Sequence, residues 1–322
     1  MAKLFCKICN NSENNEAYQI KEMMFGFRDE FTYFECSKCG CLQIDEYPRN
    51  IGKYYPPYYC SFRKGIFQNS LKQNLIRKRD AYALFKKGFF RKLLSKKYPY
   101  PLFDQLSMTK INFNSKILDV GCGAGNLLYS LKDLGFKDLV GVDPFIDEKN
   151  FEMGIRILKK VIYDLPDDQK FDLIILNHSF EHILDQLETL VKVSAILSEQ
   201  GICFMRMPVK TEYIWNRYGT NWVQIDAPRH FFLHTLKSFE LLVKKSDLVI
   251  EDVIFDSTEF QFWGSEQYKM DISLEADNSY SVTPKKSMFT TKQIREFKRM
   301  AKELNKIKQG DQAAFYLKKN KK

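Results

Sequence analysis

No run of 18 apolar residues occurs in the 322-residue chain, which excludes a helical membrane span of ordinary length. The first residues, Met1-Ala2-Lys3-Leu4-Phe5-Cys6, lack the charged-then-apolar pattern of a leader, so we expect a chain that is not secreted. The expected compartment is the cytoplasm, where eight cysteines serve as thiols and metal ligands rather than as disulfides. Internal repeats and low-complexity segments are also lacking. Histidine is scarce: there are four, His178, His182, His230 and His234, all in two short segments.

Acidic residues are nearly missing from two stretches. Residues 63–97 carry a net charge of +11 and residues 284–322 one of +10, so with +10 overall the remainder stands at −11. The basicity belongs to flanks and the middle of the chain is acidic. A nucleic-acid enzyme would ordinarily bring positive charge to its active face too, so nucleic acid is disfavoured as a partner.

What is present begins with two cysteine knuckles. Cys6-x2-Cys9 and Cys36-x2-Cys39 are separated by 26 residues. This spacing suits a tetrahedral thiolate site, and four thiolates leave the ion no open position, so the expected metal is a structural zinc in a ribbon over 1–45. Phe31-Thr32-Tyr33-Phe34-Glu35 reads as a strand leading into Cys36, and Cys41 as a spare thiol. An aromatic and basic helical connector follows over 46–115. It opens with Tyr54-Tyr55-Pro56-Pro57-Tyr58-Tyr59, where a tyrosine is a candidate cover for a bound ligand, and continues into amphipathic helical character over 65–97. Leu71, Leu75, Ile76, Phe85, Phe89, Phe90, Leu93 and Leu94 form its apolar side. Such a segment either packs on its own domain or makes peripheral contact with an anionic membrane.

The most informative stretch is Lys116-Ile117-Leu118-Asp119-Val120-Gly121-Cys122-Gly123-Ala124-Gly125-Asn126, a buried strand, a glycine turn and the start of a helix. A dinucleotide fingerprint would place its third glycine at Asn126, but here it falls at Gly125. Asp119 puts a carboxylate where a pyrophosphate would need donors. An anion there suits a ligand with an ammonium and a sulfonium, which is S-adenosylmethionine. Leu139-Val140-Gly141-Val142-Asp143 is the next strand, ending in an acid placed to accept both ribose hydroxyls, with Pro144 behind it.

On these residues the segment 116–208 resembles the core of a class I S-adenosylmethionine-dependent methyltransferase. Phe171–Asn177 looks like the fourth strand of that family, and Gly201–Pro208 like its fifth. Asp164-Leu165 falls where its third strand ends, beside the adenine. The resemblance implies an α/β, Rossmann-like, doubly wound seven-stranded sheet, with the small N-terminal zinc ribbon and helical appendages added. It implies a cofactor site made of Asp119, Gly121, Gly123, Asn126, Asp143, Pro144, Asp164, Leu165 and Asn177. The whole chain, with its cysteine-rich start and Gly310-Asp311-Gln312-Ala313-Ala314-Phe315-Tyr316, is similar to bacterial methyltransferases associated with surface-polysaccharide or sugar biosynthesis.

The catalytic core is expected over 116–265, with an aromatic lid at 209–235 and a basic C-terminal extension over 266–322. A helix is expected at Ser238–Ser246, a strand at Val249–Phe255, a final strand near Gln261-Phe262-Trp263-Gly264, and a charged helix from Lys292 to Lys308. Candidate catalytic residues are His178, directly after the fourth strand, Glu181, and His230 in the lid. His234 reads as structural. Asp226 would orient His230, Arg229 would hold a phosphorylated substrate, and Trp222 would form a substrate wall. Glu181 with His182 offers a secondary reading as a divalent metal site. Methyltransferases acting on exocyclic nitrogens carry an Asn/Asp-Pro-Pro-aromatic turn, where this chain has Asn177-His178-Ser179-Phe180. The departure points to a hydroxyl acceptor, a small molecule or glycan precursor. Alternatives are an RNA methyltransferase gripping RNA with ribbon and basic flanks, and a scaffold with a vestigial cofactor fold, which intact Asp119 and Asp143 argue against.

Overall fold

The computed structural model of the protein describes residues 4–62, 71–87, 101–146 and 154–320. Two sheets organise it. The larger has seven strands, β4 (Lys116–Val120), β5 (Asp138–Val142), β6 (Ile155–Leu158), β7 (Phe171–Asn177), β8 (Leu197–Pro208), β10 (Leu248–Phe255) and β11 (Gln312–Lys319), in the spatial order β10-β11-β8-β7-β4-β5-β6. The five strands β6, β5, β4, β7 and β8 run parallel, and β11 enters antiparallel between β8 and β10. Parallel strands are covered on both faces, which is why Ile117-Leu118 and Leu173-Ile174-Ile175-Leu176 are unbroken apolar runs, all fully buried. The chain steps outward from β4 to β5 and β6, then returns to start β7 on the other side of β4. This switch point leaves a crevice at the carboxyl ends of β4 and β7, where such folds bind ligands.

The smaller sheet is antiparallel, in the order β1-β2-β3-β9, from β1 (Glu16–Lys21), β2 (Glu30–Glu35), β3 (Leu42–Ile44) and β9 (Phe232–Leu233). Its fourth strand comes from the segment expected to be a lid. That segment is not a free flap: Trp222 and Arg229 are fully buried, and its backbone is stitched to the ribbon through Ile44 N–H and Phe231 O, 3.0 Å. A single cluster of buried side chains joins Cys6, Ile8, Tyr33 and Leu42 of the ribbon to Leu118, Leu176 and Met205 of the large sheet. Each fully buried phenylalanine there, Phe34, Phe180 and Phe239 among them, contributes roughly 1.5–3 kcal/mol.

The strand expected at Gln261–Gly264 is a helix, Phe260–Lys269. Gln261, Phe262, Ser265 and Tyr268 are buried at three- and four-residue spacing, a periodicity that four residues alone do not reveal. The last strand of the sheet is β11 instead, supplied by the segment expected to be an extension. The charged helix is Thr291–Lys306, with the Thr290 side chain accepting from Gln293 N–H at its start and Ile294, Ala301 and Leu304 packed inward. In the basic connector, the helix Leu71–Phe85 buries Asp80, Ala83 and Leu84, while Leu75, expected on the apolar side, is half exposed. The expected apolar positions Phe89, Phe90, Leu93 and Leu94 lie outside the described residues. Among the described residues no helix is long and apolar enough to cross a membrane.

Candidate active site

The crevice at the switch point is a cavity of about 290 Å³. Gly121, Asp143, Pro144 and Phe145 line one end, from the turns after β4 and β5. Lys160, Val161, Ile162 and Tyr163, following β6, continue that wall, and His178, Ser179 and His182 from the turn after β7 face it. Tyr47, Tyr55, Tyr59 and Phe62 of the connector, with Phe231, complete it. Tyr55 stacks on Phe145 at 5.4 Å and 14° and packs edge-on against Tyr59, so tyrosines of the connector cover the ligand cleft.

The glycines have separate tasks. Gly121 has φ 74°, and a Cβ on it would lie 2.5 Å from Ser179 Cβ, so the turns after β4 and β7 touch only because the side chain is missing. Gly123 has φ 51°, and a Cβ there would fall 2.3 Å from the carbonyl oxygen of Ser61. That oxygen instead accepts the Ala124 N–H at 2.9 Å, fastening the connector across the loop. Gly123 N–H donates to Asp143 Oδ2 and Phe145 N–H to Asp143 Oδ1, both at 2.9 Å, which fixes the carboxylate at the cleft wall. Asp119 lies beside it with 5% exposure and no hydrogen-bonded partner among the described residues. Burial first, and the Asp143 charge second, push its carboxyl up to about 7.

The four histidines are brought into one region. His178 has φ 53° and reaches the cleft, but both its nitrogens are engaged. Arg206 Nη1 donates to its Nε2 at 2.9 Å, and its Nδ1 stands 3.4 Å from Glu181 Oε1, an ion-pair distance longer than a good hydrogen bond. Arg206 is itself held by Asp256, Nε to Oδ2 at 2.6 Å. His182 also lines the cleft, with its Nδ1 2.9 Å from both the Tyr55 hydroxyl and the Arg229 carbonyl oxygen. His230 packs edge-on against His182, 4.7 Å between centroids, but is set behind it and does not line the cavity. Glu181 is buried behind the three rings. His234 is structural as expected, fully buried between Ser238 Oγ at 3.0 Å and Gln186 Oε1 at 2.8 Å.

The expected substrate residues are placed elsewhere. Arg229 is fully buried and wholly committed: Nη2 donates to Asp226 Oδ1 at 2.6 Å and Glu22 Oε1 at 2.9 Å, Nε to Asp226 Oδ2 at 2.9 Å, and Nη1 to the Tyr54 carbonyl at 3.2 Å. It ties the ribbon to the core and has no donor facing the cleft, which corrects its reading as a phosphate holder. Asp226 is the partner of Arg229, and only secondarily lies 3.8 Å from His230 Nε2. Trp222 does not line this cavity: its indole N–H donates to buried Asp311 at 2.9 Å. Of the expected cofactor residues, Gly121, Asp143 and Pro144 line the cleft. Asp164 closes the turn that begins at Val161, and its neighbours Ile162 and Tyr163, not Asp164 or Leu165, face the cavity. Asn126 starts the helix Asn126–Leu134, and Asn177 ends β7 with a buried side-chain oxygen that has no hydrogen-bond partner among the described residues. Tyr47 and Lys160 were not singled out as site residues, and His182 only in the secondary metal reading with Glu181; their signal was adjacency to strand ends and to the tyrosine-rich connector.

The four knuckle sulfurs, Cys6, Cys9, Cys36 and Cys39, lie within 4.8 Å of one another, with Cys6 to Cys39 at 3.6 Å and Cys9 to Cys36 at 3.5 Å. The Cys39 sulfur beside it pulls the Cys6 thiol down to about 4, so the cluster favours at least one thiolate. Gln43 Nε2 donates to that sulfur at 3.2 Å. Cys41 is not in the set; its Sγ turns to the Leu42 carbonyl at 3.7 Å. The donor chemistry fits a closed tetrahedral ion.

Over residues 89–253, about half of the chain, the sequence matches the family described as a methyltransferase domain. Among curated proteins, an uncharacterized methyltransferase of Staphylococcus carnosus (strain TM300) is 32% identical over 71 residues, 21% of this chain and 34% of that protein. The ubiquinone biosynthesis O-methyltransferase of Pelagibacter ubique (strain HTCC1062) is 31% identical over 158 residues, 42% of this chain and 64% of that protein. The chain thus spans about a third of the first relative and just under two thirds of the second. Among solved structures, an S-adenosylmethionine-dependent methyltransferase from Clostridium acetobutylicum ATCC 824 superposes with a TM-score of 0.42 at 14% identity, covering 72% of this chain and 96% of that one. That likeness is too distant to bear on function.

Proposed function

Because the chain belongs to the methyltransferase-domain family, we propose that it transfers the methyl group of S-adenosylmethionine to an oxygen of a small acceptor, a sugar, nucleotide sugar or other glycan precursor. The observation that carries this reading is the pair of neighbouring carboxyls at the switch point: Asp119, buried, without a hydrogen-bond partner among the described residues and pushed up to about 7, and Asp143, held by two backbone N–H groups. The ammonium of the cofactor is the cation that Asp119 lacks, and Asp143 retains lone pairs for two ribose hydroxyls. Gly121 and Pro144 flank the ribose, Ile162 and Tyr163 supply an apolar wall for the adenine, and Tyr55 and Tyr59 close over the methionine end.

In the transfer, the acceptor oxygen attacks the methyl carbon in line, the carbon–sulfur bond breaks, and its electron pair stays on sulfur. Most of the acceleration comes from holding these atoms in near-attack geometry in a closed cleft. The hydroxyl proton must also leave, and the imidazoles His178 and His182 after β7 line the cavity as candidate acceptors. His178 can take it only by giving up the Arg206 contact, and His230 only by way of His182. The absence of an Asn-Pro-Pro turn after β7 supports oxygen over an amino nitrogen. The four cysteines take a structural zinc in the same reading. The deciding experiment measures S-adenosylhomocysteine binding by calorimetry and methyl transfer to nucleotide sugars and to RNA side by side. One molecule bound per chain, with label passing to a nucleotide sugar, is expected. Transfer to RNA alone would replace the acceptor assignment, and absence of binding would remove the whole reading.

A further inference from the structure

Behind the cleft wall a carboxylate oxygen of Glu181 and one ring nitrogen each of His182 and His230 lie within 4.8 Å of one another. Glu181 is 1% exposed, and neither of its oxygens has a hydrogen-bond partner among the described residues. Leaving a buried carboxylate without a donor is costly, and a bound cation offsets that cost. His178 Nδ1 stands 3.4 Å from Glu181 Oε1, longer than a good hydrogen bond.

The partners behind the rings point the same way. His182 Nδ1 is 2.9 Å from the Arg229 carbonyl and His230 Nδ1 is 2.7 Å from the Gln224 carbonyl. A carbonyl only accepts, so each Nδ1 keeps its proton, the Tyr55 hydroxyl 2.9 Å from His182 Nδ1 accepts as well, and each Nε2 offers a lone pair, the tautomer that outer carbonyls impose on metal-binding histidines. His230 Nε2 stands 3.9 Å from Glu181 Oε1, too far for a hydrogen bond and suited to a shared ion. The backbone is anchored from both sides: the Tyr33 hydroxyl donates to the His230 carbonyl at 2.8 Å, and Phe231 N–H to the Glu181 carbonyl at 2.8 Å.

We propose that Glu181, His182 and His230 bind one divalent first-row transition-metal ion whose open positions face the cleft beside His182. Two imidazoles and one carboxylate suit such ions better than calcium or magnesium, which prefer oxygen ligands throughout. Three protein ligands leave room for two oxygens of one acceptor, so the acceptor class narrows to compounds with adjacent oxygens, a vicinal diol or a hydroxy-carbonyl. The bound ion lowers the pKa of the coordinated hydroxyl, which then loses its proton more easily before attack. The ion's catalytic role rests on the methyl-transfer reading; its binding does not.

The test uses the full-length protein with its cysteine site filled with zinc, and cobalt(II) alone as probe. One cobalt per chain is expected, with weak visible bands and without the strong near-ultraviolet thiolate band. Glu181→Gln and His230→Ala should each weaken cobalt binding roughly tenfold or more. No cobalt beyond displaced zinc, a thiolate-type spectrum, or equal affinity in folded variants would overturn the proposal. Since either substitution could unfold the chain, wild-type protein is also loaded with manganese(II) and read by pulsed electron paramagnetic resonance. Couplings to two imidazole nitrogens are expected; coupling to none or to one refutes the site. S-adenosylhomocysteine affinity measured on the same samples separates the two readings: if it is intact while metal binding is absent, the cation fails and the methyltransferase proposal stands.

Discussion

Asp119 carries the sharpest expectation at the scale of single residues. Its carboxyl, ordinarily near 4, is held at about 7 by burial and then by Asp143. The folded chain therefore retains a proton that the unfolded chain gives up. Stability falls as pH rises from roughly 4 to 7 and levels off above that window. Burial puts Asp311 at about 7 as well, so Asp311 adds a slope of the same sign. The ammonium of a bound cofactor would favour the ionised form of Asp119 alone. Binding of S-adenosylmethionine below pH 7 should then release a proton, and affinity should climb with pH until about 7. Calorimetry in two buffers of different ionisation enthalpy measures this directly, and Asp119→Asn should abolish the proton release. A wild type that binds without releasing a proton would separate Asp119 from the ammonium. Asp143→Ala should cost about 1.5–3 kcal/mol of cofactor binding, as loss of charged hydrogen bonds does. Arg229 gives a contrary expectation to a substrate residue. Arg229→Ala strands Glu22 and Asp226 as buried charges and should cost about 3–5 kcal/mol in denaturant unfolding. If it instead raised the KM of a phosphorylated acceptor at unchanged stability, the structural role would be wrong.

Among elements, the cysteine knuckles and the histidine segment behave as one unit. β3 follows directly on the second knuckle and pairs with β9, Leu42 opposite Leu233 and Gln43 opposite Phe232. Thr235 Oγ1 donates to the Cys39 carbonyl at 2.8 Å, and Lys245 Nζ to the Ile8 carbonyl at 2.5 Å. A ribbon of this size cannot hold a core of its own without a metal or a neighbour, and here it leans on the catalytic core. Purified protein should contain about one zinc held by the four cysteines. Chelating it should speed hydrogen exchange at Phe231–Thr235 as well as at Cys36–Ile44, because the strand pairing is shared. Mass spectrometry showing faster exchange confined to the knuckles would mean that the two elements are not coupled. The same pairing explains why the long aromatic segment after β8 lies against the ribbon: its apolar side chains have a second sheet to bury against.

For the molecule as a whole, the chain ends of the sheet matter most. β11 lies between β10 and β8 and contributes Ala313, Ala314 and Phe315 to the interior. A chain ending before Gln312 would leave β8 and β10 without the strand that joins them. It should fail to form a stable cofactor-binding fold, whereas removal of residues 321–322 should be neutral. Circular dichroism and S-adenosylhomocysteine binding on both truncations check this, and a folded, binding-competent chain ending at residue 311 would contradict it. The alternatives at this scale show what a sequence carries. The glycine turn between β4 and the helix Asn126–Leu134, the acids Asp119 and Asp143, the strand runs and the cysteine knuckles were legible because each is a local pattern: a positive φ, a strand end or a ligand spacing is encoded within a few residues. Four-residue Gln261–Gly264 misled for the same reason, since so short a stretch fits either period. The side chains gathered from distant segments were decided only by the tertiary structure. Whether Arg229 meets a substrate or Glu22, whether Trp222 meets a ligand or Asp311, and whether His182 or His230 stands at the cleft depend on contacts between residues 48 to 207 positions apart, which carry no periodic trace along the chain. Packing selects those partners, because a buried charge or indole N–H must find one wherever the fold brings it.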